Sequence, residues 1–402
     1  MSQSDHPFSL PAIKVYLITI LFYSIVYMVL MVIPFHATLL GGTKTDIGLI
    51  MGATMLTSMF ARPIAGRLID RHGAGRIFWI VLILFAASLF GYLVPSLWML
   101  GLVRIVQGIV AAFFSTAMEI MTIDLLSDRA RGQGLSLYSL STMIPSTFGP
   151  AIALYLVDQL TMREIFLIFI GFGLVNAVLA VMMARSTGTG AIKQTMEPQR
   201  LAITAPDSMW KHRSLWISSI IMLLASIANG AIFTFLPLYL EHRQSSMGSF
   251  YFLTQTLVLV LCRFVGRSFI PSDGTTPTRL IGFTLLLAAA GSSLLSVSVQ
   301  PAILIAAAVL NGIAFALMYP TLLTYVSFTV PDQARGLLLG LFIGAADCGF
   351  ALGALAMGPL IDLFSYPMMY ISCAVCCMLA CLLLWGYKPA PTNQTRTNHT
   401  AL

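Results

Sequence analysis

Residues 66–76 read Gly66-Arg67-Leu68-Ile69-Asp70-Arg71-His72-Gly73-Ala74-Gly75-Arg76, a short charged turn between two long apolar runs. Before it, Ile47 to Ala65 is membrane-length and carries only Arg62. After it, Ile77 to Val94 carries no charge at all. A glycine-punctuated basic segment with one acid, set between two such runs, is the pattern of a loop joining two membrane-spanning helices.

The rest of the chain repeats that alternation. Hydrophobic residues make up 58% and charged residues 9%, against about 25% charged in a soluble domain, so a soluble globular protein is excluded. About 20 apolar residues span a bilayer as a helix. Twelve such runs are present, at 12–34, 47–66, 77–95, 97–122, 133–157, 165–184, 214–240, 248–269, 280–299, 301–327, 336–361 and 366–387. Each must be helical, because backbone groups in lipid have no water to bond. A transmembrane barrel would alternate over about ten residues, and these runs do not. Met1 to Pro11 is polar and shows no cleavable leader, and the first run is long enough to remain as a span.

The basic residues orient the chain. With the N-terminus in the cytoplasm, eighteen of the twenty-two lysines and arginines fall on the inner side. Only Lys44, Arg163 and Arg243 fall outside, and Arg104 lies within a span. Both termini are expected in the cytoplasm. The net charge of +7 is this topological bias and calls for no nucleic-acid partner.

A hydrophilic stretch at 185–213 separates six spans from six. The expected organisation is a six-helix half at 1–184, a cytoplasmic linker at 185–213, a second half at 214–388 and a cytoplasmic tail at 389–402. The halves repeat. Gln107 to Asp158 aligns without a gap onto Asn311 to Asp362 at an offset of 204, pairing Gln107-Gly108 with Asn311-Gly312, and Asp128, Arg131 and Gly132 with Asp332, Arg335 and Gly336. Gly48 and Gly66-Arg67 pair with Gly248 and Gly266-Arg267 at an offset of 200. The expected fold is an all-α membrane protein of twelve transmembrane helices in two six-helix pseudo-symmetric halves, the architecture of carriers built from parallel repeats.

Few charges lie inside the spans. Burying Arg104 costs about 2.5–3.5 kcal/mol on insertion scales, so it needs a partner or a water-filled cavity; snorkelling to the outer interface is the alternative. Arg104, Gly108, Ala111, Ser115 and Glu119 follow spacings of four, three, four and four, so they share a helix face. This face is small and polar, as expected of a cavity wall. An acid within a span is a functional candidate by default, and Glu119 can exchange a proton near neutral pH in such surroundings; a structural pair with an arginine is the alternative. Asp124 lies nearer the inner interface. Asp347 is the other deep acid, on a face with Gly336, Gly340, Gly344 and Ala351, either for coupling or substrate contact or for bonding a neighbouring helix. Pro145, Gly149 and Pro150 interrupt the fifth span, where proline removes a helix bond and kinks it. Tyr23, Tyr27, Tyr138, Asn229, Asn311 and Tyr319 offer polar aromatic and amide groups to a substrate, or to other helices. Cys373, Cys376, Cys377 and Cys381 share the last span. Their spacing suggests a metal site, but packing of small thiols in a lipid-facing helix explains it better, and no metal or cofactor is expected.

The segment Gly66, Leu68, Asp70, Arg71, Gly73, Arg76 resembles the G-x-L-x-D-R-x-G-x-R signature of the major facilitator superfamily. The family likeness implies that its acid caps a helix end and pairs with basic groups, latching the cytoplasmic face, with Gly66 permitting close helix approach. The second-half copy is degraded, with Ile270 in place of the acid and Asp273-Gly274 nearby. Leu102 to Gly108 is similar to the family's R-x-x-Q-G motif. Gly149-Pro150 resembles the core of the motif found in its exporters, although Ala153 and Leu154 stand where glycines are expected. The likeness also implies that spans one, four, seven and ten line the cavity. More narrowly, Asp46 to Thr57, Met59 to Gly66, Gln107 to Ser115 and Gly134 to Leu140 look like bacterial exporters of opine-type, staphylopine-like metallophores. That resemblance implies a bacterial cytoplasmic-membrane protein acting as a monomer on a small zwitterionic chelator.

The expectation is therefore a proton-coupled secondary transporter exporting a small organic molecule, with lipid, protons and cargo as its partners. A multidrug/proton antiporter is the alternative, and an importer of organic acids or metal complexes a further one. The chain lacks H-E-x-x-H, G-x-S-x-G and a P-loop, so an enzyme is not expected.

Overall fold

The computed structural model describes residues 8–126, 128–186, 213–266, 276–329 and 335–387. Most of the expected linker, the expected tail, the degraded copy around Ile270 and Asp273-Gly274, and Asp332 lie outside them. So do the side chains of Asp70, Asp128, Arg131 and Arg335 and the surroundings of Gly336.

The described residues form twelve α-helices and no strand. They are α1 (Leu10–Leu39), α2 (Lys44–His72), α3 (Ala74–Leu89), α4 (Leu97–Leu125), α5 (Asp128–Gln159), α6 (Met162–Ser186), α7 (Arg213–His242), α8 (Gly248–Gly266), α9 (Thr278–Val297), α10 (Pro301–Thr329), α11 (Arg335–Leu363) and α12 (Tyr366–Trp385). Eleven are long and apolar enough to cross a membrane; the apolar part of α8 that is described, Gly248–Arg263, is shorter. Phe60, Trp98, Val178, Leu261 and Leu382 stand exposed along the helices, as side chains facing lipid do.

The opening charged segment is not the turn its composition suggests. Arg67 to His72 form the last turns of α2, and α3 begins at Ala74. Arginine, leucine and aspartate all tolerate helix, so charge alone does not end it. The helix stops at Gly73, whose φ of 84° is open to glycine and strained for other residues; its N–H still donates to the Ile69 carbonyl at 2.7 Å. At the other end of α2, Thr43 and Asp46 form a reciprocal capping box, which starts the helix three residues before the apolar run.

The chain falls into two compact units, Met1–Gln199 and Arg200–Leu402. In the first, α1 packs on α5 and α6, α2 on α4, and α3 on α4 and α6. In the second, α7 packs on α11 and α12, α8 on α10, and α9 on α10 and α12. The repeat reaches further than the charged loops reveal. The starts of α3, α4 and α6 recur at α9, α10 and α12 with the same offset of 204, and α4 and α5 end at 125 and 159 where α10 and α11 end at 329 and 363.

Packing is tight where glycine meets a neighbouring backbone. A Cβ at Gly108 would strike the Thr54 carbonyl of α2, and one at Gly312 would lie 2.7 Å from the Gln255 carbonyl of α8. The two halves thus draw equivalent helix pairs together by the same device. By contrast, no described neighbour lies within 4 Å of a Cβ built at Gly66. The close approach expected of that glycine is made within this half by Gly108 instead. In α1, every residue from Met28 to Ala37 is buried, and a helix apolar all round belongs inside its bundle. Phe22 of α1, Phe85 of α3 and Phe114 of α4 form its core, with Phe22 stacked on Phe114 at 3.9 Å.

Three of the four α12 cysteines are turned inward. Cys373, Cys377 and Cys381 are buried, and Cys376 is half-buried, so these thiols lie on the packed stripe of the helix. The reason is spacing: residues 373, 377 and 381 lie one turn apart on a single stripe. The Cys373 thiol contacts the Met369 sulfur at 3.8 Å. Among the described residues no group of three or more His, Cys, Asp or Glu is placed to hold a metal.

Candidate functional site

The expected candidates of the N-terminal half fall into two separate clusters. The first lies where α1, α4 and α5 meet. Tyr23 and Tyr27, one turn apart on α1, are half-buried with ring centroids 6.2 Å apart. Tyr23 meets Phe114 edge-on at 6.1 Å. Tyr138 of α5 is buried, points its hydroxyl at the Ser115 carbonyl at 3.5 Å, and lies within electrostatic reach of Tyr23 and Glu119. Glu119 itself is exposed and lies within electrostatic reach of Arg62 on α2. Four sequence candidates therefore converge, and a fifth group, Arg62, joins them. Such a group of phenols around one carboxylate can bind a polar cargo and exchange a proton.

Arg104 belongs to the second cluster, deeper in the bundle. It is 2% exposed, which rules out snorkelling. No carboxylate among the described residues contacts it. It lies within electrostatic reach of the Tyr92 hydroxyl, and its Nη2 meets the Met51 sulfur at 4.0 Å. Tyr92 in turn donates to Gln107 Oε1 at 2.7 Å, and Thr54 donates to the Arg104 carbonyl at 3.0 Å. The shared face expected for Arg104 and Glu119 therefore does not hold as one open wall. Fifteen residues at 100° each bring the helix round to about 60° off its starting direction. The face runs from buried Arg104 and Gly108, through half-buried Ala111 and Ser115, to open Glu119.

Tyr92 was missed by sequence reasoning. It sits in the short 3₁₀ turn Phe90–Leu93 between α3 and α4, and nothing local marks it as the partner of an arginine twelve residues on. Its ring stacks on Phe166 of α6 at 5.1 Å, and His36 of α1 meets the same Phe166 edge-on at 4.9 Å.

The remaining candidates are structural or dispersed. Arg71 and Arg76 are exposed near Gly73. Pro145, Gly149 and Pro150 are buried in α5, and a Cβ at Gly149 would lie 3.0 Å from that of Tyr27. The antiporter-like pair thus seats α5 against the tyrosine pair of α1. In the C-terminal half, Asn311 is wholly buried and donates to the Tyr251 hydroxyl at 3.0 Å. Tyr319 packs instead at 6.0 Å from Phe342. Asn229 and Asp347 are half-buried, and a Cβ at Gly340 or Gly344, on the Asp347 face, would meet no described neighbour. Sequence reasoning also missed an aromatic group at the end of α7, where Tyr239 stacks on Tyr366 at 5.0 Å and packs on Tyr370 at 5.6 Å.

The sequence matches the Major Facilitator Superfamily over residues 15–272 and 272–401. The staphylopine export protein of Staphylococcus aureus is 34% identical over 385 residues, covering 95% of this chain and 97% of that one. Multidrug resistance protein 1 of Bacillus subtilis is 24% identical over 88% of this chain and 92% of its own length. Among solved structures, a bacterial homologue of the human lysosomal transporter Spinster, inward-facing and unoccupied, superposes with a TM-score of 0.77 at 14% identity, over 96% of this chain and 100% of that one. The nucleoside transporter NupG follows the same fold with a TM-score of 0.76 at 13% identity, over 94% and 100%.

Proposed function

The chain belongs to the Major Facilitator Superfamily, and on that footing we propose that it exports an opine-type metal-chelating metallophore against inward proton flow, by alternating access. It is a multi-pass membrane transporter and not an enzyme. The observation that carries the cargo is the 34% identity to a staphylopine exporter, sustained along 95% of the chain. The tyrosines around Glu119 suit this reading, because a zwitterionic chelator offers amines to a carboxylate and carboxylates to phenols. Glu119 and Asp347 are the proton-coupling acids, and Arg104 answers the cargo's negative charge or biases the coupling. The segment from Gly66 to Arg76 latches the cytoplasmic side. The protein works as a monomer in the bacterial cytoplasmic membrane with both termini inside. Inward proton movement supplies about 2.3 kcal/mol per charge per 100 mV.

The test is mass spectrometry of metabolites inside and outside cells with and without the protein, under metal limitation. Export predicts a chelating amino-acid derivative trapped in cells that lack it. An unchanged chelator profile sinks this cargo and favours a second reading, multidrug/proton antiport. The 24% identity to Multidrug resistance protein 1 supports that reading. Its mark is a broad gain in sensitivity to toxic compounds on deletion. Inward flux of organic acids or metal complexes under a pH gradient points to import instead.

A further inference from the structure

Around Tyr92 the N-terminal half holds an excess of buried hydrogen-bond donors. Arg104, Gln107 and His36 are each at least nine-tenths buried. Among the described residues Arg104 Nε, Gln107 Nε2 and both ring nitrogens of His36 have no hydrogen-bond partner. Two of the acceptors nearby are already engaged: Gln107 Oε1 takes the Tyr92 proton, and the Arg104 carbonyl takes the Thr54 hydroxyl proton. What remains is a guanidinium N–H, an amide NH₂, one imidazole N–H and a single imidazole lone pair, beside a full positive charge. A buried charge is held by a counter-charge or by a dense set of polar partners, and among the described residues no acid of this half contacts Arg104. Asp46 and Glu164, the acids at the end where α1 gives way to α2, are used in capping: Asp46 Oδ2 accepts from Thr43 at 2.8 Å and Glu164 Oε2 accepts from Thr161 at 2.8 Å. Asp158, at the end of α5, is exposed.

The geometry points to a buried site for a small monovalent anion on Arg104 and Gln107, with His36 at its edge. Arg104 and Gln107 stand three residues apart on one face of α4; Gln107 is bonded to Tyr92, and Arg104 lies within electrostatic reach of the same hydroxyl. His36 is joined to them through the Phe166 ring that packs on His36 and Tyr92 alike. The ligand is acceptor-only and compact, either an inorganic halide or a single carboxylate group. The site uses the guanidinium that the proposed function offers to cargo or coupling, but it rests on the unpartnered donors, so a failure of chelator export leaves it standing.

The test uses the purified full chain in detergent, exchanged into sodium gluconate as the bulky reference anion. Chloride or acetate is then titrated in at constant ionic strength and pH, and the apparent melting midpoint is read by tryptophan fluorescence. The expected result is a saturable rise of about 2–5 °C. A response to chloride but not acetate identifies a halide site; a response to acetate identifies a carboxylate site. Arg104→Met abolishes the rise, and His36→Phe weakens the apparent affinity while His36→Gln, which keeps a donor, weakens it less. Gln107→Met, expected to weaken binding at least tenfold, serves if Arg104→Met does not fold. No saturable rise with either anion, or an equal rise in Arg104→Met or Gln107→Met, overturns the site.

Discussion

Arg104→Met should leave the fold as stable as before, or more so, in chloride-free buffer. The reasoning starts from the contacts that the guanidinium makes. It is 2% exposed, lies within electrostatic reach of one phenol, and meets one thioether at 4.0 Å, with no carboxylate of the described residues beside it. Placing an arginine in the membrane interior costs about 2.5–3.5 kcal/mol. Losing its interaction with the Tyr92 hydroxyl removes at most about 1.5–3 kcal/mol, the worth of a charge-assisted hydrogen bond. Tyr92 keeps its bond to Gln107, so its hydroxyl is not stranded. Methionine fills a similar volume and sits comfortably against Met51. At the middle of both ranges the balance is about 0.8 kcal/mol in favour of methionine, in line with buried charges elsewhere that tolerate apolar replacement. For a half of about 200 residues that is a midpoint shift of at most about 2–4 °C upward. The assay is thermal unfolding of the purified variant beside wild type in gluconate, with transport measured on the same preparations. Stability should hold while transport fails. A fall of more than about 5 °C in gluconate would refute the reasoning, because it would mean that the chain itself compensates the cation.

Glu119→Gln should keep cargo binding but lose the response of transport to an imposed pH gradient in vesicles; full pH-driven transport removes Glu119 from the coupling. Gly108→Val should destabilise the protein by about 1–3 kcal/mol, seen as poor monodispersity and an early melt, because its side chain meets the Thr54 carbonyl. Gly340→Ala, with no described neighbour in reach, should melt like wild type; a matching loss in both would discount the packing argument. Tyr239→Phe and Tyr370→Phe each delete a buried hydroxyl without a partner among the described residues. They should therefore be neutral or stabilising by up to about 1 kcal/mol in thermal melts, and a loss beyond 2 kcal/mol would reveal a bond to these hydroxyls.

The fold was legible because lipid simplifies the code. Apolar runs of span length admit one backbone, and the matched loop charges expose the duplication. Helix ends were less legible, since arginine and aspartate at 67–71 are as compatible with a last helical turn as with a loop, and only the backbone at Gly73 decides. Tyr23, Tyr27, Tyr138 and Glu119 could be nominated from spacing, because polar groups in spans are few and their helices pack in a known order. Arg104 could be nominated but not placed. Its surroundings depend on Tyr92 from a turn, His36 from α1 and Phe166 from α6, and on a 60° drift that a four-three-four spacing hides. Packing as the use of Cys373, Cys377 and Cys381 could be read from the sequence, but not which stripe of α12 faces the bundle, as composition names a thiol without placing it.

The constant offset of 204 has an experimental use. Ala308 stands at the register of Arg104, Asn311 at that of Gln107, and Tyr370 at that of Phe166, on helices that begin and end in step. The second half is thus a naturally neutralised copy of the first, refined by the same selection in the same membrane. Grafting its residues into the first half, beginning with Arg104→Ala alongside Gln107→Asn, substitutes side chains already proven in an equivalent frame. The chain carries its own reference state, and the charge at Arg104 can be studied as a difference between two solutions to one packing problem.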